Sequence, residues 1–335
     1  MLTSGKTAVK AAPAGHAASR WQVRVPTALL PVLILLSGIA LAACSPGGRE
    51  QGNAGAGLGA STANSGAAAR TAYQMPAGTS RHEILAGGIR RAYLIYRPAA
   101  LPSRASLVVM LHPDGSSGSR AEREYRWNNE ADSGHFIVAY PDGLHSSWNT
   151  GGHCCFSRAD DIGFVTAMIS AIESQNPIDQ HRIYATGMSS GGMLAYALAC
   201  QTAIFAAIGP DSATQLSPCP DPAPISVLHI HGTADKIIAY YRRPGGAIKR
   251  FGGADIPQVN AFWRRIDHCA APVTATAGVL TTSVAACPGG RTVELMTIKG
   301  AGHQWPGKVP GHGPRPVAAL DATQVIWQFF ASHHR

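Results

Sequence analysis

Three short strings in this sequence place groups that could carry out nucleophilic acyl transfer. The first is Gly187-Met188-Ser189-Ser190-Gly191, a serine between glycines. With 37 glycines in the chain, such a string can arise by chance, so its context decides its weight. It directly follows the strand-like RIYAT and directly precedes the helix-like GGMLAYALAC, the strand, tight turn and helix that a nucleophile elbow requires. Ser189 is therefore the expected nucleophile, with an N-cap serine on an ordinary turn as the plainer alternative.

A serine hydroxyl is a poor nucleophile until a base takes its proton, so a carboxylate and a histidine are expected after later strands. Asp235 stands five residues past SVLHI, in HGTAD, and is the expected acid; Asp211, just after the strand that follows the nucleophile helix, is the rival. His303 follows TVELMTI in the glycine-rich GAGHQWPG and is the expected base. His229 and His231 lie within or at the end of a strand and read as packed or hydrogen-bonding groups. His312 belongs to a Pro/Gly loop, and His333 and His334 to a frayed end.

The tetrahedral intermediate carries an oxyanion that needs preorganised backbone donors. The N–H of Ser190 is one candidate. The second comes from Leu111-His112-Pro113-Asp114-Gly115, where Pro113 has no N–H and Asp114 does. Trp148 in SSWNTGG and Trp305 beside His303 sit in polar, glycine-rich loops, so they are expected to line the substrate pocket, with core packing as the alternative. The basic stretch from Tyr240 to Gly253, with Arg242, Arg243, Lys249 and Arg250, reads as a solvated loop ahead of a rim for anionic substrate. This chemistry needs no metal or organic cofactor.

Elements that could position these groups follow from the apolar pattern. Buried strands are predicted at Leu107 to Leu111, Phe136 to Tyr140, Ile183 to Thr186, Phe205 to Gly209, Ser226 to Ile230 and Thr292 to Ile298, after a hairpin at 82 to 97 around Gly87-Gly88. Helical patterns fall near 121 to 132, 161 to 174, 190 to 203, 256 to 267 and 320 to 332, the last with Asp321 as its N-cap. Alternation of this kind argues an α/β domain with a mainly parallel central sheet flanked by helices.

The first residues read differently. Basic residues up to Arg24 precede the apolar stretch Pro26 to Ala43, which ends in Leu41-Ala42-Ala43-Cys44. This resembles a bacterial lipoprotein signal, which implies removal of 1–43 and acylation of Cys44; an uncleaved membrane anchor is the alternative. Residues 44–75, rich in Gly, Ala and Ser, cannot bury enough apolar surface to fold and read as a tether spanning roughly 30 Å. The domain is then 76–335. The net charge of +9 includes Lys6, Lys10, Arg20 and Arg24 in a segment without acids, which leaves 24 basic against 19 acidic residues, or +5. No run of like charge suggests a nucleic-acid partner.

Export would place the remaining cysteines in an oxidising compartment, where an even number favours disulfides. Local pairing suggests Cys200 with Cys219 and Cys269 with Cys287, with Cys154 and Cys155 then bridging one another or staying reduced, and the sequence leaves all of the roughly fifteen connectivities of six cysteines open.

Across most of residues 82 to 332 the chain resembles the esterase family that groups polyhydroxybutyrate depolymerase-like proteins with feruloyl and acetylxylan esterases, carbohydrate esterase family 1. The resemblance rests on LVVMLH, FIVAYPDG with SWNTGG, DDIGF at Asp160, IYATGMSSGGM, HIHGTAD, GHQWPG and VIWQFF. It implies an α/β-hydrolase fold, Ser189 as nucleophile, Asp235 as acid, His303 as base, and main-chain oxyanion donors at Asp114 and Ser190. Pro113 departs from the glycine usual there. The expected activity is hydrolysis of hydroxybutyrate-type oligomers or of feruloyl or acetyl esters of carbohydrate, by a monomer exported and held to a membrane by its lipid. A non-catalytic surface lipoprotein on the same scaffold and a serine peptidase of the same fold are the alternatives.

Overall fold

Strands with an apolar residue at nearly every position bury both faces, and this is the pattern of parallel sheets covered by helices. Ala105–Leu111 (β3), Ile137–Pro141 (β4), Ala207–Asp211 (β6) and Ser226–Gly232 (β7) are buried throughout. The computed structural model describes residues 76–152, 154–155, 157–242, 245–246, 251–308 and 320–335. The leader 1–43, Cys44 and the tether lie outside them, as do Arg243, Lys249, Arg250 and His312.

These strands join Gly78–Ala86 (β1), Ile89–Arg97 (β2), Ile178–Met188 (β5), Val273–Ala277 (β8), Leu280–Ala286 (β9) and Thr292–Ile298 (β10) in one sheet of order β1-β2-β4-β3-β5-β6-β7-β10-β9-β8. The centre from β4 to β10 is parallel, and an antiparallel hairpin closes each end. The hairpin expected at 82 to 97 is β1–β2, turning on Gly87 and Gly88 with φ of 56° and 78°. A two-residue turn with both φ positive matches the twist of the strands it joins.

Helices cover both faces. Asp161–Glu173 (α3), Ser190–Gln201 (α4) and Ile256–Ile266 (α5) pack on one through Phe164, Met168, Leu194 and Trp263. Gly118–Tyr125 (α1), Trp127–Gly134 (α2) and Ala322–Ala331 (α6) pack on the other through Tyr125, Trp127, Ile326 and Phe330. Each large apolar side chain buried in this way contributes about 2 kcal/mol. Asp321 caps α6 as expected, accepting from the N–H groups of Thr323 and Gln324.

Two elements differ from the reading above. The segment 121 to 132 is two helices, because Arg126 adopts φ 61° and so caps α1 in the left-handed region before α2 begins. The β8–β9 hairpin was not anticipated; its Thr- and Ala-rich strands leave β8 exposed at every position. Among the described residues three disulfides are present: Cys200–Cys219, Cys269–Cys287 and the adjacent Cys154–Cys155.

The strand order matters for function. The chain steps from β3 to β4 on one side and then to β5 on the other. Loops leaving the carboxyl ends of β3 and β5 therefore part in opposite directions and leave a crevice, the usual ligand site of open α/β sheets.

Candidate active site

Ser189 occupies that crevice. It joins β5 to α4 with φ 54° and ψ −119°, a conformation strained for any residue with a Cβ. Two close approaches explain its neighbours. A Cβ on Gly191 would lie 2.2 Å from the carbonyl oxygen of Leu111, and one on Gly187 would lie 2.6 Å from the carbonyl carbon of Gly191. The turn is held by Ser189 N–H donating to Asp211 O at 2.9 Å and by Met193 N–H returning to Ser189 O at 2.9 Å. The Ser190 N–H opens α4, where the first N–H groups have no intrahelical acceptor and the helix dipole favours negative charge.

Asp235 stands in the loop after β7, fully buried. Its Oδ1 accepts from the N–H groups of Ile237 and Ile238, each at 2.8 Å, while Oδ2 accepts from His303 Nδ1 at 2.8 Å. With Nδ1 carrying the proton toward the carboxylate, His303 Nε2 keeps its lone pair and can act as a base. Ser189 and His303 line the same cavity. No hydrogen bond joins them among the described residues; such contacts often tighten only when substrate arrives. The rival Asp211 does not meet His303. It is buried, and burial pushes its pKa well up against a hydrogen bond from Ser212, with the nearby charge of Asp235 acting in the same direction as burial.

On the β3 side, Asp114 lies at the rim of the cavity and its Oδ1 accepts from the Ser147 hydroxyl at 2.6 Å. Its backbone is organised by His112, which the sequence reading treated only as part of the loop. His112 Nε2 accepts from Gly143 N–H at 2.9 Å, so the ring proton sits on Nδ1 and is donated to Pro113 O at 2.8 Å. In a trans peptide the carbonyl and the N–H point to opposite sides. Holding Pro113 O against His112 therefore turns the Asp114 N–H away from the imidazole. Burial lowers the His112 pKa, which keeps the ring neutral and this pattern intact.

The two tryptophans are corrections. Trp148 and Trp305 are both fully buried and neither lines the cavity. Trp148 donates from Nε1 to His112 O at 2.8 Å, with ring centroids 4.7 Å apart. Trp305 stacks on Tyr125 and donates to Thr323 Oγ1 at 3.0 Å. Polar flanking sequence concealed both because their indole N–H groups are satisfied inside. The SWNTGG loop is held in turn by Asp161, whose Oδ2 accepts from Asn149 N–H at 2.6 Å while Oδ1 pairs with buried Arg91 at 2.6 Å.

The cavity has a volume of about 370 Å³. Tyr125, Met188 and Ile237 supply its apolar wall, which the sequence did not single out. Arg120, paired with Glu124 at 2.6 Å, and Lys308 also line it. Arg242 of the basic loop bonds to Asp255 at 3.0 Å and is not among the lining residues.

Known proteins share this architecture. The family model described as esterase PHB depolymerase matches residues 91–230, which include Ser189 and end before Asp235 and His303. Feruloyl esterase B of Piromyces equi is 32% identical over 59% of this chain, which spans 39% of that longer protein. "Probable feruloyl esterase C" of Aspergillus terreus is 31% identical over 53% of this chain and 68% of its own length. Among solved structures, the acetyl xylan esterase of Aspergillus awamori superposes with a TM-score of 0.55 at 16% identity, over 76% of this chain and 99% of that one. At that identity the likeness speaks for the fold.

Proposed function

The chain belongs to the esterase PHB depolymerase family of α/β-hydrolases, and from that membership we propose that it cleaves carboxylic esters through an acyl-enzyme on Ser189. The observation that carries this reading is the 2.8 Å bond between His303 Nδ1 and Asp235 Oδ2, beside a serine held on a strained elbow.

His303 Nε2 takes the Ser189 proton as Oγ attacks the ester carbonyl. Asp235 keeps the imidazole in the right tautomer and stabilises the imidazolium that forms. The oxyanion is received by the N–H groups of Ser190 and Asp114, the first aided by the dipole of α4. Collapse expels the alcohol with the proton from His303. Water then enters, gives its proton to the same nitrogen and releases the acid. The remaining requirement is a pocket for the acyl or alcohol portion, and Tyr125, Met188 and Ile237 provide an apolar one.

The substrates that suit the site are short hydroxybutyrate-type oligomers and the feruloyl or acetyl esters of carbohydrate. The names of the relatives favour the latter group. We further propose export and anchoring through acylated Cys44; Cys44→Ala should release the protein from membranes, and continued tight association would count against the anchor. A panel of p-nitrophenyl acyl esters, methyl ferulate and hydroxybutyrate oligomers tests the activity. Turnover of at least one by the wild type, lost in Ser189→Ala, is expected; turnover surviving in the variant would overturn the reading.

A further inference from the structure

The mechanism above makes no use of three groups buried behind the acid: Tyr196 on α4, and His229 and His231 on β7. All three are fully shielded from solvent. Tyr196 Oη lies 2.8 Å from His229 Nδ1, His229 Nε2 lies 3.1 Å from His231 Nδ1, and His231 Nε2 lies 2.7 Å from the carbonyl oxygen of Ile238. The two histidines are two residues apart on one strand, so their rings share a face of the sheet.

The direction of every bond in this chain is determined. A carbonyl oxygen only accepts, so His231 Nε2 carries a proton. A neutral ring has one N–H, which leaves His231 Nδ1 as an acceptor for His229 Nε2–H, and His229 Nδ1 as an acceptor for the tyrosine hydroxyl. Two neutral imidazoles satisfy all four positions with no conflict. A second proton on His231 would set its Nδ1–H against the His229 Nε2–H, and a second proton on either ring would place a cation where burial disfavours it. The pKa of His231 is accordingly pushed down to about 4 and that of His229 falls well below its usual value, burial being the main cause in both.

The chain ends on the loop that carries Asp235. Ile238 gives its N–H to Asp235 Oδ1 and its carbonyl to His231, so its two peptide groups are held from both sides. The same His231 N–H lies 3.5 Å from Asp235 Oδ2, the oxygen that faces His303. We propose that Tyr196, His229 and His231 form a directional hydrogen-bond chain that positions Asp235, making His231 a positioning residue for ester hydrolysis. This rests on Asp235 being the acid of the catalytic group. Beyond the tautomer it enforces, His231 partly offsets the charge on Oδ2. Without it the carboxylate attracts the His303 proton more strongly, and the acid limb of kcat/KM moves to higher pH. The other groups facing His231 are His229 and the ring of Tyr240, at 5.9 Å between centroids, while the charge of His303 when protonated acts against a cation on His231 and Asp211 interacts electrostatically with Asp235.

The test compares wild type, His231→Leu, His231→Gln and Tyr196→Phe by kcat, KM and pH profile on p-nitrophenyl acetate, with nitrogen-15 NMR of the imidazoles. In the wild type both rings should be neutral and protonated on Nε2 from about pH 5 to about pH 8. His231→Leu should lower kcat about tenfold or more with little change in KM, and raise the acid limb by about half a pH unit. His231→Gln, whose amide N–H can reach Ile238 O, should recover most of that loss. Tyr196→Phe removes the first donor and should shift the His231 resonances through His229, which keeps the test intact if His231→Leu does not fold. An unchanged limb with unchanged kcat in His231→Leu, no rescue by Gln, or a His231 that is charged or protonated on Nδ1 would overturn the proposal. A wild type inactive on every ester would instead overturn the esterase reading, and the NMR result would still judge the chain.

Discussion

The indole N–H of Trp148 donates to the main-chain carbonyl of His112 at 2.8 Å. It thereby braces the residue whose ring holds Pro113 O and turns the Asp114 N–H toward the other side of its peptide. Trp148→Phe keeps most of the packing and removes that donor. It should cost about 1–3 kcal/mol of stability, because a buried carbonyl is left unpaired. If Asp114 supplies the proposed oxyanion N–H and its loop depends on this brace, kcat on p-nitrophenyl acetate should also fall roughly tenfold with KM little altered. A loss of stability in urea with kcat unchanged would sever the indole from the chemistry.

Gly191 gives a sharper steric prediction. A Cβ there would sit 2.2 Å from Leu111 O, a backbone atom fixed within the sheet. Gly191→Ala should destabilise by about 3 kcal/mol or more, since neither the elbow nor β3 can move aside without breaking strand pairing. A Tm within a few degrees of wild type would show that the elbow is looser than described.

Asp211 ties stability to pH. Unfolded, its carboxyl titrates near 3.8; folded, burial raises its pKa well above that. Above about pH 4 the native state therefore holds a proton that the unfolded chain has lost, and this group's contribution to stability declines as pH rises, by up to about 1.4 kcal/mol per unit. Asn carries no such proton. Asp211→Asn should thus gain on the wild type between pH 4.5 and 8 in urea titrations, and a constant difference across that range would refute a protonated Asp211.

The disulfide Cys200–Cys219 ties the end of α4 to the segment before β7, across 19 residues. Replacing both cysteines by alanine should cost about 3 kcal/mol by the loss of that loop constraint. Ester hydrolysis at 25 °C should persist, because neither cysteine lines the cavity. Loss of activity with the fold intact would assign the bridge a role in the site itself.

Much of the fold and of the site is legible in the sequence. Strands buried on both faces announce themselves as apolar runs, unbroken in LVVML and interrupted only by Ser226 and His229 in SVLHI, and the groups placed after them inherit positions at one sheet edge. That is why Asp235 and His303 could be paired across 68 residues. The β8–β9 hairpin escaped because β8 buries none of its side chains, so its short VTATA alternation has no apolar face against the core to announce it. Trp148 and Trp305 misled for a related reason. Polar neighbours suggested exposed aromatics, whereas the indoles lie inside with their N–H groups bonded to His112 O and Thr323 Oγ1. The role of His112 needed the Gly143 N–H, a partner 31 residues away that no local pattern reveals.

The most direct measurement is covalent labelling of the wild type and Ser189→Ala with a fluorophosphonate probe, followed by mass spectrometry of the labelled peptide. A serine activated by the His303–Asp235 pair should react in the wild type at Ser189 alone, and Ser189→Ala should stay unlabelled. A wild type that fails to react, or a variant that labels equally, would contradict the account.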